Sequence, residues 1–175
     1  MHIWKHFTTI TRHRHMVMLS CFRVGLIWQG LCHDLSKYSP AEFWPGAKYY
    51  AGNRSPNTAQ REAEGCSTAW MHHKGRNRHH FEYWTDVQIG KEGYHPIPMP
   101  LPYAVESVMD RIAASKVYKG EAYYPGCELD YLEKSQEARL MHPETLEFLR
   151  RVLTVLRSGG EKEMYAYIRR LLREK

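Results

Sequence analysis

Cysteine is sparse and scattered: Cys21, Cys32, Cys66 and Cys127 are the whole set, and no two form a CxxC pair. That spacing offers neither a disulfide framework nor a thiolate zinc site, and it fits a reducing compartment, so a cytoplasmic location is expected. A hydrophobic leader is also lacking, because the first 15 residues carry His2, Lys5, His6, Arg12, His13 and Arg14. The longest apolar run, residues 16–32, is short for a bilayer span and holds Arg23 near its centre. A cation there is costly in lipid, so a buried helix and no membrane partner are expected. Strand-like alternation and internal repeats are absent too. With 43% hydrophobic and 25% charged residues in 175, the composition is globular and excludes a disordered chain. One core is feasible at this length without outside support.

Histidine, by contrast, is abundant. There are 11, and nine precede residue 91. The net charge of +6 is concentrated in the same half, where 11 basic residues face 6 acidic ones, whereas residues 128–175 carry 10 and 9. A basic, histidine-rich half points to an anionic ligand or to nucleic acid. The alternating charges further on read as solvated helical faces.

Apolar periodicity predicts an all-α protein of about six to eight helices, forming one domain over 1–175 with its core in 8–120 and amphipathic helices in 128–174. A central helix, apolar on most sides, is expected over 11–29, with a turn at Gly30. Ser39-Pro40-Ala41-Glu42 has the form of a capped helix start. A helix over 57–73 is expected to stop at Gly75, and a further one begins near His79. Pro96, Pro98, Pro100 and Pro102 mark an extended connector. A helix over 103–117 follows, then three more, marked by Leu129/Leu132/Leu140, Leu146/Leu149/Leu153/Leu156 and Met164/Ile168/Leu171. Trp28, Trp44 and Trp70 are expected in the core. His2, His6, His95 and His142 are expected at the surface or at helix caps.

Divalent metals need imidazoles and carboxylates that converge in space. On the first helix either His13, in line with Val17, or His15, in line with Leu19, would put an imidazole on an apolar stripe. His33-Asp34 supplies two ligands side by side. Asp110 lies on a face with Ala113, Ala114 and Val117, where a bare carboxylate is expensive and a cation would resolve the cost. The segment 72–80 (HHKGRNRHH) holds four imidazoles, His72, His73, His79 and His80, and three cations, Lys74, Arg76 and Arg78. Those cations suit the oxygens of a phosphate, arginine in bidentate fashion. Blander readings stand beside these: a turn at His33-Asp34, an ion pair of Asp110 with Arg14 or Arg111, and a helix-end role for His73. The 72–80 loop could equally contact RNA, with Phe81, Tyr83 and Trp84 as stacking faces.

The series His, His-Asp, Asp on successive helices, with the segment HDLSKYSP (His33–Pro40), resembles the HD superfamily of metal-dependent phosphohydrolases. The stretches HDLSKYSPAEFW, AWMHHKGRNRHHFEYW and MPLPYAVESVMDRIAASKVYKG also resemble a bacterial domain family of unassigned function. The first resemblance implies a helical HD-like bundle holding one or two divalent ions (Mn, Fe, Co, Ni, Zn or Mg). The ligands would be His13, His33, Asp34 and Asp110, with His73 and one of His79 or His80 completing a second site. His15 and His72 are the reserve ligands. It further implies a metal-activated water, catalytic parts for Asp34, Lys37 and His73, and phosphate contacts from Lys37, Lys74, Arg76 and Arg78. The expected partner is a small phosphorylated substrate, with nucleotides among the candidates, in preference to nucleic acid. Two other chemistries fit the same residues: a di-iron oxygenase of the inositol-oxygenase type, and a non-catalytic nucleotide- or RNA-binding module. Oligomeric state is not encoded in any pattern of the sequence.

Overall fold

The first helix, α1 (Ile3–Arg23), starts earlier and stops sooner than its apolar pattern suggests. It is also one-sided: His6, Ile10, His13, Val17 and Cys21 are buried at helical spacing, while Trp4 and Leu19 point outward. The chain turns at Gly25, whose φ of +84° favours glycine. Gly30 lies instead inside α2 (Ile27–Cys32), where a Cβ would come within 3.0 Å of the Met18 carbonyl and Cys21 Cβ. Its missing side chain lets α2 lie tightly on α1. The computed structural model describes residues 1–174; Lys175, the last residue of the expected domain, lies outside the described residues.

Helix α3 (Pro40–Lys48) begins at Ser39-Pro40 as expected, but the capping box does not close. Ser39 caps nothing with its side chain, and Glu42 turns away towards two histidines. The single helix expected over 57–73 is two, α4 (Pro56–Glu64) and α5 (Thr68–Lys74). Gly65, at φ +79°, ends the first, and the Ser67 hydroxyl accepts from the Trp70 N–H at 3.0 Å to start the second. Where a helix near His79 and an extended connector were expected, a 3-10 turn (Phe81–Tyr83) leads into a small antiparallel hairpin, β1 (Thr85–Val87) and β2 (Tyr94–Pro96), with Asp86 opposite His95.

Helix α6 (Leu101–Lys119), with nine buried residues, lies between α1 and the C-terminal helices. After α7 (Cys127–Lys134), the span α8 (Pro143–Arg173) holds both of the last expected helices, which meet at a break where Gly160 takes the non-helical φ of +73° and ψ of −175°. Leu140 is exposed and does not join Leu129 and Leu132 inside. One apolar cluster runs from Val17 through Val108, Met109 and Leu132 to Leu153 and Ile168. Each such side chain contributes roughly 1.5–3 kcal/mol by leaving water. The fold is therefore all-α, with eight α-helices among the described residues.

Several aromatic and histidine placements differ from expectation. Trp28 and Trp44 are 74% and 50% exposed, so neither is a core residue. Trp70 is half-buried and packs on His73 and His80. His6, expected outside, is buried against Gly46, where a Cβ would lie 2.3 Å from its Nε2. His142 does cap α8, accepting from the Glu144 N–H.

Candidate metal centre

The buried stripe of α1 carries His13 inward, so that Val17 follows it one turn on inside the core; His15 is on the opposite, exposed face. His33 and Asp34 follow α2. Asp34 sits at φ +55°, the one non-glycine residue with positive φ among the described residues. Such a backbone costs of order 1–3 kcal/mol and persists only where surrounding contacts over-determine it. Those contacts are plain: the carboxylate is 1% exposed and enclosed by imidazoles from four segments.

The Asp34 carboxylate divides the cluster in two. Its Oδ2 lies 3.5 Å from His13 Nε2 and 3.3 Å from His33 Nε2. Asp110 Oδ1 closes that group, 2.9 Å from His13 Nε2 and 3.6 Å from His33 Nε2. Asp34 Oδ1 lies 3.3 Å from His73 Nε2 and 3.5 Å from His79 Nε2, with His80 completing the second group. In each group one donor atom per residue falls within 4.8 Å of all the others. His79 and His80 both take part, against the expectation that only one of an adjacent pair would. The 3-10 turn that begins at Phe81 keeps the chain from running on as a helix through both. Of the other pair, His73 joins the group while His72 reaches only Glu42.

Two carboxylates that sequence reasoning missed organise the imidazoles from behind. Glu106 Oε1 accepts from His33 Nδ1 at 2.8 Å and lies 3.0 Å from His79 Nδ1. Glu42 accepts from His72 Nδ1 at 2.6 Å and from His73 Nδ1 at 2.7 Å. A carboxylate on Nδ1 fixes the proton there and leaves the Nε2 lone pair free to ligate. Glu106 was findable, since it precedes Asp110 by one helical turn between the buried Val105 and Val108. Glu42 was hidden by its apparent fit to a capping box.

The fit to a divalent ion rests on what these atoms lack. Nε2 of His13, His33, His79 and His80 and Oδ1 of Asp34 are all buried without a hydrogen-bond partner. The short contacts between them are not aligned as hydrogen bonds. Native interiors leave few such atoms unpaired, and a cation in each group would satisfy them. The protonation pattern agrees. Burial opposes the charge on Asp34, yet His33, Lys37 and His73 outweigh it and hold the carboxyl well below the usual range. Burial likewise opposes the charge on Asp110, but His13 and His33 overcome it, so its pKa is also well below the usual range. Burial keeps His73 below an ordinary imidazole, and His80 well below, the latter reinforced by His79 and His73. His33 moves the other way, because Asp34, Asp110 and Glu106 overcome its burial. Its proton is the one a bound cation would displace.

A cavity of about 410 Å³ opens beside the cluster, walled by His13, His73, His80 and Asp110. Of the cations expected around it, only Lys37 lines it. Lys74, Arg76 and Arg78 do not line it: Arg76 is turned back to the His72 carbonyl, and Arg78 lies on Tyr83 and Tyr103. Alternate residues of a turn after a helix end point outward here because His73, Asn77 and His79 take the inward positions. Lys37 does line it, with Nζ 2.6 Å from Asp34 Oδ2, and it is joined by Arg111 and Lys119. Burial disfavours the Lys37 ammonium, but Asp34 and Asp110 more than compensate and raise its pKa. Arg111 pairs with Glu137 at 2.9 Å, and Arg14 binds the carbonyls of Leu31 and His33, so neither neutralises Asp110 as an ion pair.

Fold and site together define an all-α protein with a buried histidine–carboxylate cluster fit for one or two divalent ions. The chain belongs to the family of unknown function DUF5662, which matches residues 2–155 and so takes in every residue of the cluster. No curated protein and no solved structure matches it.

Proposed function

We propose that this protein is an HD-type metal-dependent phosphohydrolase acting on a small phosphomonoester or phosphodiester. The observation that carries the reading is the position of Asp34, one carboxylate shared by two groups of buried, unpartnered ligand atoms. His13, His33, Asp34 and Asp110 would hold one cation; Asp34, His73, His79 and His80 would hold another. When bound, a divalent cation supplies Lewis acidity that acidifies water and polarises phosphorus. The chain's own part is to fix the ligands and to receive the anion. Glu42 and Glu106 hold the imidazoles in one tautomer, while Lys37 and Arg111, paired here with Asp34 and Glu137, are the cations lining the cavity that would turn to a phosphoryl group. Trp70, Phe81 and Ala114 supply its apolar walls. A cavity of this size suits a nucleotide-sized molecule better than a nucleic acid duplex.

The test is elemental analysis of untagged protein, reconstituted with Mn, Fe, Co, Ni, Zn or Mg, followed by a phosphoester panel with and without that metal. Wild type should retain one or two equivalents and release phosphate only when loaded, and Asp34→Asn should lose both properties. Absence of metal after reconstitution would sink the reading. Oxygen consumption with a polyol by the iron form would reassign the site to an oxygenase, and nucleotide binding without turnover would reassign it to a binding module.

A further inference from the structure

We infer that the outer face of α1 and α2 is a docking surface for an anionic lipid bilayer. Large apolar side chains stand in water there: Trp4 is 78% exposed and Trp28 74%, with Leu35 at 51% and Leu31 at 41%. They belong to one surface. Phe7, one turn after Trp4, meets its ring edge-on at 6.2 Å and meets Tyr38 of the following 3-10 turn at 6.0 Å. Arg14, on the same side of α1, hydrogen-bonds the Leu31 carbonyl. Burying these side chains against the core is impossible, because the opposite stripe of α1 already faces inward. Isolated exposed apolar residues are ordinary, but a row of them along α1 and α2, with Trp4 near one end and Trp28 near the other, marks a contact surface.

Charge identifies the occupant. Residues 1–48 contain six cations and only two acids, Asp34 and Glu42. Both acids are buried in the cluster, at 1% and 6% exposure. This layer therefore presents no carboxylate to solvent, while Lys5 and Arg12 are exposed on the flank of the Trp4 ridge. Tryptophan beside unneutralised lysine and arginine is the composition of a helix that lies in a membrane interface, with the rings at headgroup depth and the cations on lipid phosphates. A second copy of the chain fits less well. A two-fold contact sets a surface against itself, and here cations would meet cations with no acid between them. Among the described residues no helix is long and apolar enough to cross a membrane, so the contact proposed is a surface one. It revises the expectation of no membrane partner and does not depend on the metal reading.

Full-length protein is floated with vesicles of phosphatidylglycerol and phosphatidylcholine, and in parallel with phosphatidylcholine alone. Binding to the anionic vesicles should be at least tenfold tighter, should shift tryptophan emission to the blue, and should fall steeply between 0.05 M and 0.5 M salt, as roughly expected for screened surface charge. Trp28→Ala with Leu31→Ala, and separately Lys5→Glu with Arg12→Glu, should each weaken binding about tenfold or more while leaving the circular dichroism spectrum unchanged, since all four side chains are exposed. Equal partition to both vesicle types, or none, overturns the proposal. So does a concentration-dependent dimer in ultracentrifugation that Trp28→Ala with Leu31→Ala abolishes, or acidic-protein capture with no vesicle binding.

Discussion

Glu106 carries more of the site than its place behind the imidazoles suggests. Its single Oε1 serves Nδ1 of His33 and of His79, one imidazole from each ligand group. A glutamine there keeps the volume and can keep one oxygen between the two rings, but a neutral amide oxygen accepts more weakly than a carboxylate and no longer raises the basicity of both imidazoles. Glu106→Gln should therefore lower metal affinity about 10–100-fold without unfolding the protein, read by competition with a chromogenic chelator. Unchanged affinity would show that the imidazoles are held by packing alone. The residue scale also separates what was legible from what was not. His13 was one of two candidates until the buried stripe of α1 chose it; His15, two residues on, has the same chemistry and faces water. Helical phase is set by what covers the helix, and the covering element, α6, is almost a hundred residues away in the chain.

At the scale of elements, the contact of α1 with α3 contains a second histidine with a different fate. His6 packs on Gly46 and near Lys37, and burial followed by that ammonium lowers its pKa from 6.5 to about 4. The unfolded chain takes up a proton near pH 6.5 that the folded His6 refuses until about pH 4. Folding stability from this group is thus full above about 6.5, falls as pH drops through that window, and levels off below 4. Denaturant titrations of wild type and His6→Leu should show a smaller loss in the variant across that interval; parallel curves would remove His6 as the source. Element boundaries were the least legible feature. Glycine signals placed the breaks in the right neighbourhoods, yet Gly25 turned the chain where Gly30 was expected, because Gly30 was needed for the close approach of α2 to α1. The 57–73 pattern hid the αL break at Gly65, and that break is what lets α5 present His72 and His73 to Glu42.

For the whole molecule, the cluster ties α1, α2, α3, α5 and α6 together around charges that would be costly if left bare. A ligand that binds only the folded chain stabilises it by mass action. At a free concentration about a thousand times its Kd, a divalent ion contributes about 4 kcal/mol, or roughly 10 °C in Tm for a chain of this size. Chelation followed by scanning calorimetry should show that loss, restored by readdition and absent in Asp34→Asn; a Tm indifferent to chelator would remove the cation from the folding balance. Composition and periodicity carried the all-α class and the helix over most of 103–117, and with the family resemblance the types and approximate places of the candidate ligands. Those properties are local: apolar spacing, glycine and proline punctuation, and residues whose chemistry is rare enough to stand out. Tertiary structure decided the rest. It chose His13 over His15, admitted both His79 and His80, recruited Glu42 and Glu106, and put Arg111 and Lys119 beside the expected Lys37 around the cavity in place of the loop cations Lys74, Arg76 and Arg78. Each of those outcomes depends on which side chains from distant segments reach the same few ångströms, and no pattern confined to one segment carries that information.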